Sequence, residues 1–169
     1  MHRRATSTRG AASGAVESRE WIGLAHGVVT PDEDGARELG WRYLDEIRRS
    51  TRGLVRARSG ARGVSLDAAR TVPLFRFGPP ELAADADRVE CRFPIRGGLL
   101  AARPGGALVI AQRAAELHEL ELVVAGYFPR LGGSPRRRSL RRGLYALLQA
   151  RAHRAISRRF LERAAREVS

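Results

Sequence analysis

Tyr145, Gln149 and His153 recur at a spacing of four in the last third of the chain. On a helix that spacing places them in one line along one face. A phenol, a carboxamide and an imidazole so aligned can hydrogen-bond a ligand, and the imidazole can carry a proton near neutral pH. If the face covers a sheet, each of the three needs a partner in the interior. The alternative places Tyr145 and His153 at the edge of an apolar face, with backbone carbonyls as partners. His118 lies close in sequence to Glu116, Glu119 and Glu121. On a strand it shares a side with Glu116 but not with Glu119 or Glu121, which makes a common metal shell awkward. His26 stands alone, and Asp85 and Asp87 fall in a polar turn.

Other chemistry is excluded by composition. All 31 basic residues are arginine, so there is no lysine to form a Schiff base or to complete a P-loop. Cys91 is the only cysteine, which rules out an intrachain disulfide and a CxxC metal or redox pair, and it reads as a small hydrophobe. The glycines of Gly97–Gly106 fit neither dinucleotide-binding nor Walker spacing and read as a hairpin. No Ser-His-Asp or HExxH arrangement is present. No metal and no cofactor are expected. Two segments, 72–80 and 126–131, interleave rings with arginine in a way that could stack on bases. With so few aromatics in the chain, core packing claims these rings first.

Residues 134–169 hold eleven arginines against two acids, which is +9 of the chain's net +13. Lysine and asparagine are both missing. Their codons are A-rich, so a high-GC genome accounts for the choice of arginine but not for the excess charge. Between residues 21 and 133, sixteen arginines face fourteen acids, so the basic character is local. Such a segment attracts polyanions. Arg136, Arg137, Arg138, Arg141, Arg142, Arg151, Arg154 and Arg158 are the candidate contacts to nucleic acid or an anionic lipid surface, unless they simply form a solvated face.

The elements that position these residues read as helix, sheet, helix. Residues 1–20 are expected to be a disordered basic tail, and 21–169 a single domain. Trp21–Val29 suits a first strand. A helix follows, with Thr30 as N-cap, Pro31 at the first helical position, and Ala36, Leu39, Gly40, Tyr43, Leu44 and Ile47 on one face. From Leu54 the period becomes two, most clearly in Arg88–Ile95, Ala107–Gln112 and His118–Phe128, and more weakly in 54–58, 63–66 and 72–77. A last helix covers roughly 135–167, with Leu140, Leu144, Leu147 and Leu148 as its first apolar stripe and Tyr145, Ala152, Ile156 and Phe160 continuing it. The fold class is α+β, with about six or seven antiparallel strands curved over the long C-terminal helix and one N-terminal helix. No apolar run approaches the ~18 residues of a membrane span, and a soluble cytoplasmic protein is expected.

The segments RVECRFPIRGGLLAARPGGALVIAQ, LHELELVVAGYFPRL and GLYALLQARAHRAISRRFLERAA, taken in order, resemble the START/polyketide-cyclase (SRPBCC) helix-grip superfamily across roughly residues 21–167. The resemblance implies a curved sheet gripping the last helix round an apolar cavity that takes a lipid, polyketide or other hydrophobic small molecule. The expected lining is Phe93, Leu120 and Leu122, with Val89, Leu108 and Ile110 beside them and Tyr145, Gln149 and His153 as polar contacts. Three functions follow from the sequence. They are binding of a hydrophobic small molecule, binding of nucleic acid or an anionic membrane through the arginines, and a cyclase- or hydrolase-like enzyme using His153 as acid or base.

Overall fold

The computed structural model describes residues 4–10, 15–128 and 139–168, and only the backbone of residues 4–6, 8–10, 16 and 139–150. The fold is α+β, an open antiparallel sheet with both helices on one face. The elements run β1 (Arg4–Gly10), β2 (Val16–Leu24), α1 (Glu33–Ser50), β3 (Val55–Gly60), β4 (Gly63–Ala68), β5 (Val72–Phe77), β6 (Glu81–Ala84), β7 (Arg88–Gly97), β8 (Ala107–Arg113), β9 (His118–Tyr127) and α2 (Ser139–Glu167). Across the sheet the order is β1-β2-β9-β8-β7-β5-β4-β3, with β6 also on β7. β6 pairs with the first half of β7 and β5 with its second half, and Gly78-Pro79-Pro80 breaks the edge between them.

The N-terminal segment departs from the sequence reading. β1 and β2 form a hairpin from Arg4↔Ile22 to Gly10↔Val16, where a disordered tail to residue 20 was expected. The first long strand therefore spans Val16–Leu24, not Trp21–Val29. The reason is visible in its inner face, where Ser18, Glu20, Ile22 and Leu24 are all buried. Two of the four are polar, so the strand lacks the apolar alternation by which strands are recognised. β6 escapes notice for a related cause, having a single large apolar residue, Leu82.

α1 starts two residues later than expected. Asp32, in an extended conformation, is the N-cap, and its carboxylate accepts from the Gly35 N–H at 2.6 Å. Thr30 and Pro31 precede the cap, and Thr30 O comes so close that a Cβ on Gly35 would lie 2.0 Å from it. Glu33 and Asp34 then suit the positive end of the helix dipole, and Arg48 and Arg49 the negative end. The buried face is the expected one: Ala36, Leu39, Gly40, Tyr43, Leu44 and Ile47, joined by Glu46.

α1 lies over β7, with further contacts to β3, β6 and β8, while α2 packs on β2 and on α1. The sheet's inner face supplies Ile22 and Leu24, Leu120 and Leu122, Leu108 and Ile110, Cys91, Phe93 and Ile95, Phe77, and Val64 and Leu66. Phe160, Leu161, Ala164 and Ala165 of α2 complete that core. Two ion pairs also join the helices. Arg163 Nε donates to the buried Glu46 at 2.9 Å, and Arg42 Nη1 to Glu167 at 2.8 Å. A Cβ on Gly40 would stand 2.4 Å from Cys91 Sγ and 3.1 Å from the Phe93 ring.

Gly40→Ala is therefore expected to lower unfolding free energy by about 1–3 kcal/mol through overpacking, despite a helix-propensity gain of about 1 kcal/mol. The urea midpoint measures this, and an unchanged or raised midpoint would mean that α1 is not seated on β7.

Candidate functional site

Where α2 crosses β2 beside α1, four polar side chains meet a mostly apolar interior. Glu20 comes from the inner face of β2, Tyr43 from the middle of α1, and His153 and Ser157 from successive turns of α2. Glu20 and Tyr43 are each 2% exposed and Ser157 is fully buried. The Tyr43 ring meets Phe160 edge-on, centroids 5.3 Å apart, which holds its hydroxyl beside α2. Burial raises the Tyr43 pKa, the neighbouring Ser157 hydroxyl opposes that rise, and the nearby Glu20 charge adds to it. Tyr43 is thus a neutral phenol across the physiological range.

His153 is half-buried, yet its Nε2 is fully enclosed and has no hydrogen-bond partner, while Ser157 Oγ is enclosed beside the Tyr43 hydroxyl. Burial first, and the Arg154 charge second, bring the His153 pKa down to about 4. The imidazole is therefore neutral at pH 7. It offers one donor and one acceptor nitrogen in place of a cation. The Tyr43 phenol and the Ser157 hydroxyl stand together, and the neutral imidazole lies one turn before Ser157 on the same helix; these are groups suited to a neutral polar partner, such as a hydroxyl or a carbonyl.

Gln112 shows what a satisfied polar group looks like on the same sheet face. Its carbonyl oxygen accepts from Val28 N at 2.5 Å and Val29 N at 3.1 Å, and its amide donates to Val29 O at 2.9 Å. It pins the β2–α1 connection. Next to it a cleft of about 540 Å³ is lined by residues including Val28, Pro31, Asp87, Arg88, Val89 and His118. A second, about 570 Å³, lies between α1 and α2 and includes Trp41, Arg42, Glu46, Phe160 and Arg163.

The candidate residues divide by position. Phe93, Leu120 and Leu122 are core residues at 1%, 0% and 1% exposure. Phe93 lies under α1, against Gly40 and the Phe77 ring, and not under α2. Of the expected cavity lining, only Val89 borders either cleft described. Tyr145 and Gln149 lie on α2 four and eight positions before His153, and their side chains are outside the described residues. The same is true of Arg141 and Arg142, of the stripe Leu140, Leu144, Leu147 and Leu148, and of Arg136, Arg137 and Arg138 altogether. Arg151, Arg154 and Arg158 are exposed, as is Ala152, which the sequence reading placed on the apolar line. That line runs instead through Ile156, Ser157, Phe160, Leu161, Ala164 and Ala165.

Glu20, Tyr43 and Ser157 were not among the sequence candidates. Ser157 continues the 145, 149, 153 series by one more step of four, so that signal was available. Glu20 lay in the supposed tail, and Tyr43 looked like an ordinary core aromatic. Cys91, beneath α1, has its thiol pushed up to about 12 by burial first and by Glu90 second, which leaves it unreactive.

The His153 environment carries a pH signature. An unfolded imidazole with its ordinary value of 6.5 takes up a proton that the folded one refuses until about pH 4. Stability should fall as pH drops through that window, by on the order of 3 kcal/mol. Urea unfolding across the window should show a shallower fall for His153→Gln than for the parent chain, and identical slopes would mean that the ring is not enclosed. No family model, no curated protein and no solved structure matches this chain.

Proposed function

We propose that the chain binds a small, mostly apolar molecule carrying a neutral polar group, held where α2 meets β2 and α1. The observation that carries the reading is the enclosed, unpartnered His153 Nε2, one turn before the buried Ser157 hydroxyl on α2. An unsatisfied buried polar group costs about 1–3 kcal/mol, so this nitrogen is a standing cost to the fold that a ligand would offset. The open antiparallel sheet with its terminal helix on one face supports the helix-grip reading and the hydrophobic class of ligand. Tyr43 and Glu20 would orient the ligand's polar end, and Gln149 and Tyr145 would extend the line of contacts. Transfer of a proton is a further step for which a neutral His153 is suited.

Native mass spectrometry of the intact chain tests this reading. A bound small molecule is expected on the parent protein and is expected to be lost from His153→Leu/Ser157→Val. The single change His153→Leu should leave the protein as stable as the parent or more so, since it removes an unsatisfied group, whereas Ser157→Val strands the Tyr43 hydroxyl. Equal retention by the variant, or only unliganded protein in every preparation, would reject the pocket.

A second reading is favoured by the exposure of Arg151, Arg154 and Arg158 on the outer side of α2. Arg158 is paired with Glu162 at 2.6 Å. Contact with nucleic-acid or lipid phosphates would release counterions, so the affinity of a single-stranded oligonucleotide engaging about three arginines should drop roughly 20-fold between ~50 and ~200 mM salt. Affinity that does not change with salt would dismiss it.

A further inference from the structure

We propose that the end of the sheet formed by the α1–β3 connection, the β4–β5 turn and the β7–β8 loop docks on an anionic lipid bilayer. Leu54, Val72 and Leu99 stand there at 62%, 40% and 47% exposure, three of the five large hydrophobic side chains that are exposed among the described residues. The backbone ties them together. Ala69 N donates to Leu54 O at 3.0 Å, Ala68 pairs with both Val55 and Val72, and Leu99 N donates to Pro73 O at 2.8 Å. Four adjacent strand ends therefore present three aliphatic side chains within roughly 15 Å. Gly98 allows this, since a Cβ there would lie 2.4 Å from Leu74 O.

Guanidinium groups gather at the same end. Arg52 and Arg70 are on the connections themselves, and both are exposed. Arg56 reaches back to donate to Gly53 O at 3.0 Å, and Arg58 to Arg70 O at 3.4 Å. The one acid in these strands, Asp67, is buried, with its side chain held by Ser65 and 3.8 Å from Arg58. Four cations thus ring three aliphatic side chains, with no exposed carboxylate from β3, β4 or β5 among them.

Backbone conformation adds an independent sign. The non-glycine residues with positive φ among those described are Arg52 (54°), Ala69 (48°) and Arg70 (69°), all at this end. Ala69 and Arg70 occupy the two central positions of a hairpin turn that Asn-Gly fills without strain. The strain persists with an exposed arginine at the tip, whose side chain forms no ion pair among the described residues. Strain of this kind concentrates where a chain has work to do other than fold.

Aliphatic side chains in a basic setting suit the boundary between headgroups and acyl chains. A nucleic-acid surface would call for exposed rings to stack on bases, and no exposed ring stands at this end. No described helix is long and apolar enough to cross a membrane, and the attachment proposed is a peripheral one.

Cosedimentation of the full chain with phosphatidylcholine vesicles, with and without phosphatidylglycerol, tests the proposal. Binding is expected only when the anionic lipid is present. Each substitution in Arg52→Gln and Arg70→Gln should lower partitioning roughly five-fold, and Leu54→Ser/Leu99→Ser roughly ten-fold or more. Arg70→Gly should bind less while unfolding at a higher urea concentration, since it relieves the turn, so loss of fold cannot mimic the result. Three outcomes would overturn the proposal. They are equal binding to uncharged vesicles, no binding to either kind, and binding abolished by Arg151→Gln/Arg154→Gln/Arg158→Gln but untouched by the sheet-end variants. Oligonucleotide binding that depends on Arg52 and Arg70 but not on the leucines would assign this surface to nucleic acid instead.

Discussion

The contact of Gly40 with Cys91 and Phe93 sets the arrangement of everything on the sheet's inner face. A helix bearing any side chain at position 40 would have to rise off β7, because the nearest atom lies only 2.4 Å from where a Cβ would stand. With glycine there, α1 settles into the middle of the sheet and buries Leu39, Tyr43, Leu44 and Ile47. The centre of the face is then filled, and α2 is left with β2 and the flank of α1. Its seat is secured by Phe160 against Tyr43 and by Arg163 against Glu46. The polar cluster follows from this placement, because the part of β2 beneath α2 carries Glu20 and the side of α1 that faces it carries Tyr43.

Buried polar groups on this sheet face fall into two kinds, and the difference between them is energetic. Gln112 spends its amide on three backbone partners and so fixes the β2–α1 connection. Glu46 accepts from Ser50 at 2.8 Å and from Arg163 at 2.9 Å, so one carboxylate closes the end of α1 and ties down α2. Such groups contribute to a unique structure because their removal would strand a partner. His153 Nε2 has no comparable partner, and Ser157 has only the Tyr43 hydroxyl beside it. Replacing His153 by an apolar group of similar shape would cost the fold nothing in hydrogen bonding, which is why a structural role does not explain it. The depressed His153 pKa points the same way, for an imidazole kept in place for its charge would have a carboxylate beside it.

Much of the architecture was legible because hydrophobic period and turn chemistry agreed. β5, β7, β8, β9 and the end of α2 at Glu167 follow from alternation, from glycine pairs and from helical spacing. Gly53, two residues past the Thr51 C-cap of α1, has φ of 79° and donates its N–H to Arg48 O at 2.7 Å. What was hidden was hidden by polar residues on inner faces. Ser18 and Glu20 disguised β2, and through it the hairpin with β1. The exchange of Thr30 for Asp32 as N-cap turned on a competition that spacing does not resolve, since both residues cap well and the close approach of Thr30 O to Gly35 decides it. The site was half legible. Spacing found His153, but the partners that give it meaning come from β2 and α1, and a pattern within one element cannot show which other element it will meet. Likewise Phe93, Leu120 and Leu122 were rightly placed on the inner face, but that face does not reveal whether α1 or α2 lies on it.

The two proposed sites stand at opposite ends of the strand order. β2, under α2, is second from one edge, and β3, at the basic and aliphatic end, forms the other. From β2 that end begins three strand spacings away at β7 and reaches six at β3, roughly 15 to 30 Å measured along the sheet. α1 nevertheless touches both. Tyr43 stands in the polar cluster, and two turns later the helix ends in Thr51, whose hydroxyl donates to Ile47 O at 2.8 Å and accepts from Val55 N at 3.1 Å. That double contact fixes the turn that throws Arg52 into positive φ and Leu54 into solvent. The helix held down by Gly40 is thus the single rigid element common to the interior cluster and the exposed sheet end, and the strain at Arg52 is sustained by the same packing that positions Tyr43.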